Sequence, residues 1–257
     1  MSASTASSNN HPQPVALVTG ALAGIGRATA FAFAAAGYRV VVSGRRLEAG
    51  LAMEEELKQL GHDAKFIKAD VRFEGEVQSL VDATVAQYGR LDAAVNNAGI
   101  DGKFQSILEH DTESYRDVFD ANVLGTFLSM KHELRVMRVQ GSGSIVNISS
   151  TMGVKGAFNA SVYTGSKHAV EGLTKAVALE AAPFSIRVNA VAPGPVQTEM
   201  FDRITADPKG REAMIAGVPL KRVGNVDEIA QMILFVASDT VPFLTGEIIR
   251  VNGGKTA

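Results

Sequence analysis

Short apolar runs alternate with longer helical patterns along almost the whole chain. The runs at 15–19, 39–43, 64–69, 93–96, 144–149, 187–191 and 248–251 are rich in Val, Ile and Ala. Several show little inside–outside alternation, as strands buried on both faces should. The stretches 24–36, 48–60, 74–88, 113–139, 162–182 and 226–237 read as the helices between them. A repeated β-α-β order predicts an α/β domain: a parallel sheet with helices on both faces. No linker-like stretch divides the chain, so residues 15–257 are expected to form one domain. The segment 195–219 breaks the alternation. It follows a strand and sets Met200, Phe201, Ile204, Met214 and Ile215 among charged residues. An insertion at the C-terminal end of a strand suits a substrate lid. A pair of small amphipathic helices packed on the core is the plainer reading, and the two are compatible.

Composition narrows the class. The chain has 257 residues, is 46% hydrophobic and carries a formal net charge of -2, which fits one soluble domain with a large core. Near-neutral charge argues against nucleic acid as the main partner, and no apolar run is long enough to span a bilayer. Cysteine is absent, which excludes disulfides and thiolate metal sites and is compatible with a reducing, cytoplasmic setting. None of the five histidines has a spacing suited to a metal, so no metal is expected. Residues 1–14 are polar, rich in Ser and Asn and free of Arg and Lys. They lack the features of a signal or transit peptide and read as a flexible tail.

The most informative chemistry is Tyr163 followed by Lys167 one helical turn later, with Ser150 upstream. Tyrosine is a poor acid/base near neutral pH because its unperturbed pKa is about 10. An ammonium on the same helix face favours phenolate. Lowering the pKa by ~3 units takes roughly 4 kcal/mol, about what a charge pair ~4 Å apart supplies at an effective dielectric of ~20. The spacing therefore makes a working acid/base, although isolated Tyr-x-x-x-Lys pairs are mostly surface neighbours.

Gly20, Gly24 and Gly26 fall between the first strand and the first helix. Glycine there lets the backbone turn tightly and approach a pyrophosphate, with the helix N-terminus directed at the anion. Their order is Gly-x-x-x-Gly-x-Gly, unlike the better-known Gly-x-Gly-x-x-Gly. The second strand ends Val42-Ser43-Gly44-Arg45-Arg46, without the Asp or Glu that holds the ribose 2′-hydroxyl of NAD. Arg45 and Ser43 suit a 2′-phosphate, which favours NADP(H) over NAD(H). The alternative is a pair of solvated arginines at a helix start.

Thr19-Gly20-x-x-x-Gly24-x-Gly26, Asn96-Asn97-Ala98-Gly99, Asn122, Ser150, Tyr163-x-x-x-Lys167 and Pro193-Gly194 follow in order. Together they resemble the short-chain dehydrogenase/reductase family, and the resemblance runs from about Val15 to Gly254. It implies a doubly wound Rossmann-type three-layer fold with a seven-stranded parallel sheet, a nicotinamide cofactor and no catalytic metal. By position it implies Tyr163 as general acid in ketone reduction and base in alcohol oxidation. Lys167 would hold the nicotinamide ribose and depress the tyrosine pKa, and Ser150 would stabilise the substrate oxygen. Asn122 would join a proton relay. Gly20, Gly24, Ile25, Gly26, Asn97, Ala98 and Gly99 would line the cofactor cleft, Asp70 and Val71 would meet the adenine, and Pro193, Gly194, Val196 and Thr198 the carboxamide end. Ala23 stands where many NADP-dependent members have a basic residue. The resemblance also implies an oligomer, with a homotetramer favoured over a dimer.

Phe158, Met152, Met200 and Phe201 suggest a partly apolar pocket for an aryl or alkyl ketone. Lys155, Asn159 and Gln197 would suit a sugar, polyol or 3-oxoacyl substrate handled by the same residues. A protein that senses NADP(H) without turnover is the reading of another class, and the intact Ser150, Tyr163 and Lys167 count against it.

Overall fold

The computed structural model describes residues 13–257, so nearly all of the expected tail lies outside the described residues. Seven strands are seen among them: β1 (Val15–Val18), β2 (Arg39–Gly44), β3 (Ala64–Lys68), β4 (Ala93–Asn96), β5 (Gly143–Ile148), β6 (Ile186–Pro193) and β7 (Ile248–Val251). They form one sheet in the order β3-β2-β1-β4-β5-β6-β7, parallel throughout. The helices are α1 (Gly24–Ala35), α2 (Leu47–Gln59), α3 (Glu74–Tyr88), α4 (Thr112–Phe119), α5 (Gly125–Gln140), α6 (Ser161–Ala181), α7 (Glu199–Ile204), α8 (Pro208–Ala216) and α9 (Val226–Ala237).

The sheet is buried on both sides because its residues alternate between two apolar layers. Ala16 and Val18 of β1 pack in one layer with Phe33 of α1, Leu57 of α2 and Ile233 of α9. Leu17, between them, packs in the other with Leu80 of α3, Met137 of α5 and Ala178 of α6. Burying a side chain of Phe or Leu size contributes roughly 2 kcal/mol, so an apolar residue on every face position fixes both layers at once. This is the doubly wound three-layer arrangement expected. Strand order reverses between β1 and β4, which opens a crevice at the C-terminal ends of the strands.

A polar seam runs through this core. Asn96 of β4 and Asn147 of β5 are register partners, and Asn96 Nδ2 donates to Asn147 Oδ1 at 3.0 Å and to Glu133 Oε2 at 3.0 Å. Asn147 Nδ2 donates in turn to Thr174 Oγ1 on α6 at 3.0 Å. Glu133 is fully buried. Burial pushes its carboxyl up to about 8 against the opposing hydrogen bond from Asn96, so it is mainly neutral at pH 7.

The helix expected over 113–139 is two helices joined by a π-helical turn at Asp120–Leu124. Side-chain bonds explain the interruption. The Asn122 amide faces inward to the loop after β4 and to α6, while Thr126 Oγ1 donates to Asn122 O at 2.8 Å. An extra residue in the turn aims Asn122 there, a recurring use of π turns.

Candidate active site

The glycine loop owes its sequence to close packing. Gly20 has φ +62°, and a Cβ on it would lie 2.8 Å from Ala98 Cα. A Cβ on Gly26 would fall 2.3 Å from Gly20 O and 2.4 Å from Asn97 Nδ2. Asn97 explains the second clash, because its Nδ2 donates to Thr19 O at 3.1 Å and Gly20 O at 2.9 Å. Thr19 Oγ1 accepts from Ala98 N at 3.2 Å. The loop after β4 thus clamps the loop after β1. Helix α1 starts at Gly24 with Ala23 as its cap, no side-chain capping bond and no acid in its first turn. No cap side chain answers its leading N–H groups, which fits a pyrophosphate.

Next to this loop a cleft of about 370 Å³ is lined by Gly20, Ser43, Arg45, Asp70, Val71, Ala98 and Gly99, all expected at the cofactor, together with Gly44, Arg46 and Arg72. Ser43 is buried and its carbonyl accepts from Ala21 N at 3.0 Å. Arg45 is well exposed, with Nη1 4.0 Å from Asp70 Oδ2. Arg72, which the sequence reading missed, grips Asp70 more firmly. Its Nε lies 3.0 and 3.1 Å from the two oxygens and its Nη2 2.7 Å from Oδ2. These bonds, helped by Arg45, hold the Asp70 carboxyl below the usual carboxylate range. Asp70 lines the cleft where the adenine is expected, with its carboxylate already paired to Arg72. The only sign of this in the sequence is an Arg two residues after the Asp.

Beyond Gly99 lies the second half, a cavity of about 180 Å³. Ser150, Tyr163 and Lys167 line it with Ile25, Asn97, Gly99, Pro193, Gly194, Val196 and Thr198. The structure thus brings together the residues expected at the reacting end from five separate parts of the chain. Ser150 caps the turn Thr151–Gly153, its Oγ accepting from Met152 N at 3.2 Å. Tyr163 lies in the first turn of α6, its ring 6.3 Å from that of Phe104. Lys167 is buried, and its Nζ donates to Ile148 O at 2.9 Å and lies 5.6 Å from the centre of the Tyr163 ring.

The electrostatics differ from expectation. Desolvation pushes the Tyr163 hydroxyl up to about 12, against the hydrogen bond with Ser150 that lowers it, and the charge of Asp101 raises it further. Burial pulls Lys167 down to about 8. In the protein alone, lost hydration of a partly buried phenol outweighs an ammonium aimed at a backbone carbonyl. The couple is a protonated donor here, not a standing phenolate.

Asn122 is buried, with Oδ1 accepting from Ile100 N at 2.8 Å and Nδ2 donating to Ile100 O at 2.9 Å and Ser166 Oγ at 3.1 Å. It braces the loop after β4 against α6. The substrate wall also needs correction. Met200 and Phe201 line the cavity with Ile100, Ile204 and Met214, whereas Met152 and Phe158 do not. Phe158 is 92% exposed, in a loop whose apolar residue has no partner surface to fold against. Lys155 binds Lys255 O, Gln197 binds Asp202 and Arg211, and neither these two nor Asn159 lines the cavity.

Comparison with known proteins accords with this geometry. A family model described as Enoyl-(Acyl carrier protein) reductase matches residues 20–256. The chain is 41% identical over 243 residues to cis-4-hydroxycyclohexanecarboxylate dehydrogenase of Sinomonas cyclohexanicum, covering 95% of this chain and 96% of that protein. It belongs to the short-chain dehydrogenase/reductase family. Cyclohexanol dehydrogenase of an Acinetobacter species is 38% identical over 250 residues, with 97% and 98% of the two chains covered. A single-substitution variant of actinorhodin polyketide ketoreductase, solved with NADPH, superposes with a TM-score of 0.90 at 37% identity, covering 95% of this chain and 97% of that one. The short-chain dehydrogenase is accordingly an oxidoreductase acting between alcohols and carbonyls. Among its described residues no helix is long and apolar enough to cross a membrane, and no group of three or more His, Cys, Asp or Glu is placed to hold a metal ion.

Proposed function

We propose that this enzyme reversibly reduces a neutral ring ketone to a secondary alcohol with NADP(H). The observation that carries the chemistry is the convergence of Ser150, Tyr163 and Lys167 on one apolar cavity beside the glycine loop. Bound there, the nicotinamide would exchange a hydride with the substrate carbon. Ser150 would hold the substrate oxygen as charge develops on it. Tyr163 would give that oxygen its proton in reduction and take it back in oxidation. Lys167 would turn from Ile148 O toward the ribose hydroxyls, and its charge would then ease loss of the Tyr163 proton. Asn122 would support proton return by fixing the loop at Ile100, and α7 and α8 would serve as the substrate lid over the cavity.

The charge at the end of β2 supports NADP(H). Gly44 stands where the ribose-binding acid is absent, and Arg45 stands exposed beside it for a 2′-phosphate. The lining supports a neutral substrate. Met200, Phe201, Ile204, Met214, Ile25 and Ile100 surround the reacting groups, and Lys167 is the one cation among the described lining residues. A carboxylate on the ring would lose its hydration without a partner. Two of the relatives act, by name, on cyclohexane alcohols, one of them carrying a carboxylate on the ring, which directs the choice of substrates and puts the carboxylate among them.

Steady-state kinetics with NADPH and NADH on cyclohexanone, 4-oxocyclohexanecarboxylate, a ketose and a β-ketoacyl thioester test this reading. Cyclohexanone with NADPH is expected to give the highest kcat/KM, at least tenfold over the carboxylate. A clear preference for NADH would overturn the cofactor assignment, and a preference for the thioester or ketose the substrate class. A cytoplasmic homotetramer is proposed as the working form, and light scattering decides the oligomer.

A further inference from the structure

The loop after β4 and helix α7 each form a wall of the reacting cavity, and one ion pair joins them. Arg203 Nη2 on α7 lies 3.3 and 3.4 Å from the two carboxylate oxygens of Asp101. Arg203 is mostly exposed, but Asp101 is only 13% exposed and close enough to Tyr163 for its charge to act there. The other side-chain bonds of α7 stay local. Asp202 meets Gln197 and Arg211, and Thr198 caps the helix. Among the described residues, Arg203–Asp101 is the one ion pair linking α7 to anything outside 195–219. The same helix carries Met200, Phe201 and Ile204 into the cavity. On the other wall, Ile100 beside Asp101 is fixed by Asn122, and Phe104 packs near the Tyr163 ring.

We propose that Asp101 and Arg203 are a pair of positioning residues: they clasp the cavity walls over the substrate, and Arg203 shields the Tyr163 hydroxyl from the charge of Asp101. This rests on the reading of Tyr163 as the proton carrier. Its consequences separate because the two charges have opposite signs. An unshielded Asp101 carboxylate disfavours phenolate, and removing that carboxylate favours it. The other groups facing Tyr163 are the Ser150 hydroxyl and Lys167, which burial pulls down to about 8 so that it titrates in the same profile. Both are the same in every variant below, so differences between variants report Asp101 and Arg203. Losing the clasp frees α7 whichever partner is removed, so both substitutions weaken substrate binding.

The test is the pH profile of alcohol oxidation, in which activity rises as Tyr163 loses its proton, for Asp101→Asn, Arg203→Gln and the double variant. Cyclohexanol and NADP are the substrates. Asp101→Asn is expected to move the rising limb toward acid and Arg203→Gln toward alkali. The double variant is expected to follow Asp101→Asn. KM for cyclohexanol is expected to rise two- to tenfold in each single variant and no further in the double one. Arg203 is exposed, so its replacement leaves folding intact, and thermal melting checks this for all three. Limbs that do not move, or that move the same way in both single variants, overturn the proposal, as does a KM effect that adds fully in the double variant. Loss of turnover in Tyr163→Phe together with unmoved limbs overturns the clasp alone. Full turnover in Tyr163→Phe overturns the reading beneath it.

Discussion

The two halves of the cleft meet at Gly99 but are built on opposite principles. The half lined by Ser43, Arg45, Asp70 and Arg72 is charged, with Arg45 well exposed and Arg72 half-buried against Asp70. The half lined by Ser150, Tyr163 and Lys167 is apolar, and burial moves both titratable groups there far from their ordinary values. The difference follows from the two tasks. Selecting a phosphate needs charge that stays ionised at every working pH, which exposed guanidinium groups supply. Moving a proton needs groups whose charge is costly, so that a bound partner can tip them either way. Exposed charge is screened by salt over about a Debye length, whereas buried charge is screened much less. The first half should therefore respond to ionic strength and the second to pH.

Arg45→Ala attacks the charged half and should have the larger effect. Losing a charge-assisted bond to phosphate costs roughly 1.5–3 kcal/mol, so the Kd for NADPH should rise about ten- to hundredfold while that for NADH stays within about twofold. Fluorescence titration measures both without turnover. The loss should shrink as salt is raised, and an equal loss for NADH would show that Arg45 only shapes the loop.

A smaller effect is expected from Glu133→Gln, which tests in the polar seam of the core whether burial rather than pairing sets a carboxyl's charge. Glu133 is raised to about 8 in the fold from an ordinary value of 4.5. Below about pH 4.5 both folded and unfolded chains carry its proton, and its contribution to stability is fully present. As pH rises toward 8 the unfolded chain ionises while the folded one does not, so stability falls. The glutamine variant removes that slope, and its melting temperature should gain on the native protein by several degrees between pH 5 and 8. Parallel melting curves across that range would mean that Glu133 is ionised in the fold.

The strands were legible in the sequence because runs such as Val15–Val18 and Val40–Val42 are buried on both faces and admit few other readings. The order of Ser150, Tyr163 and Lys167 along the chain located the reacting end, and the structure does converge them. Two things stayed hidden for a common reason. The π turn at Asn122, whose amide bonds Ile100 and Ser166, and the Asp101–Arg203 pair depend on which groups meet across space. Local pattern carries no trace of a partner on another element. The grip of Arg72 on Asp70 spans two residues, and its trace in the sequence is an Arg just after the Asp. Phe158 and Met152 show the converse failure, because hydrophobicity alone does not say whether a loop residue faces a cavity or water.

The central claim is that proton transfer resides in Tyr163 while cofactor recognition resides in the other half of the cleft. Tyr163→Phe, measured for kcat/KM on cyclohexanone beside the Kd for NADPH, tests it most directly. The expected result is a loss of about 10²–10⁴-fold in kcat/KM with NADPH binding changed by less than about threefold. A variant that keeps most of its ketone reduction would contradict the claim, as would one that loses turnover only in step with NADPH binding.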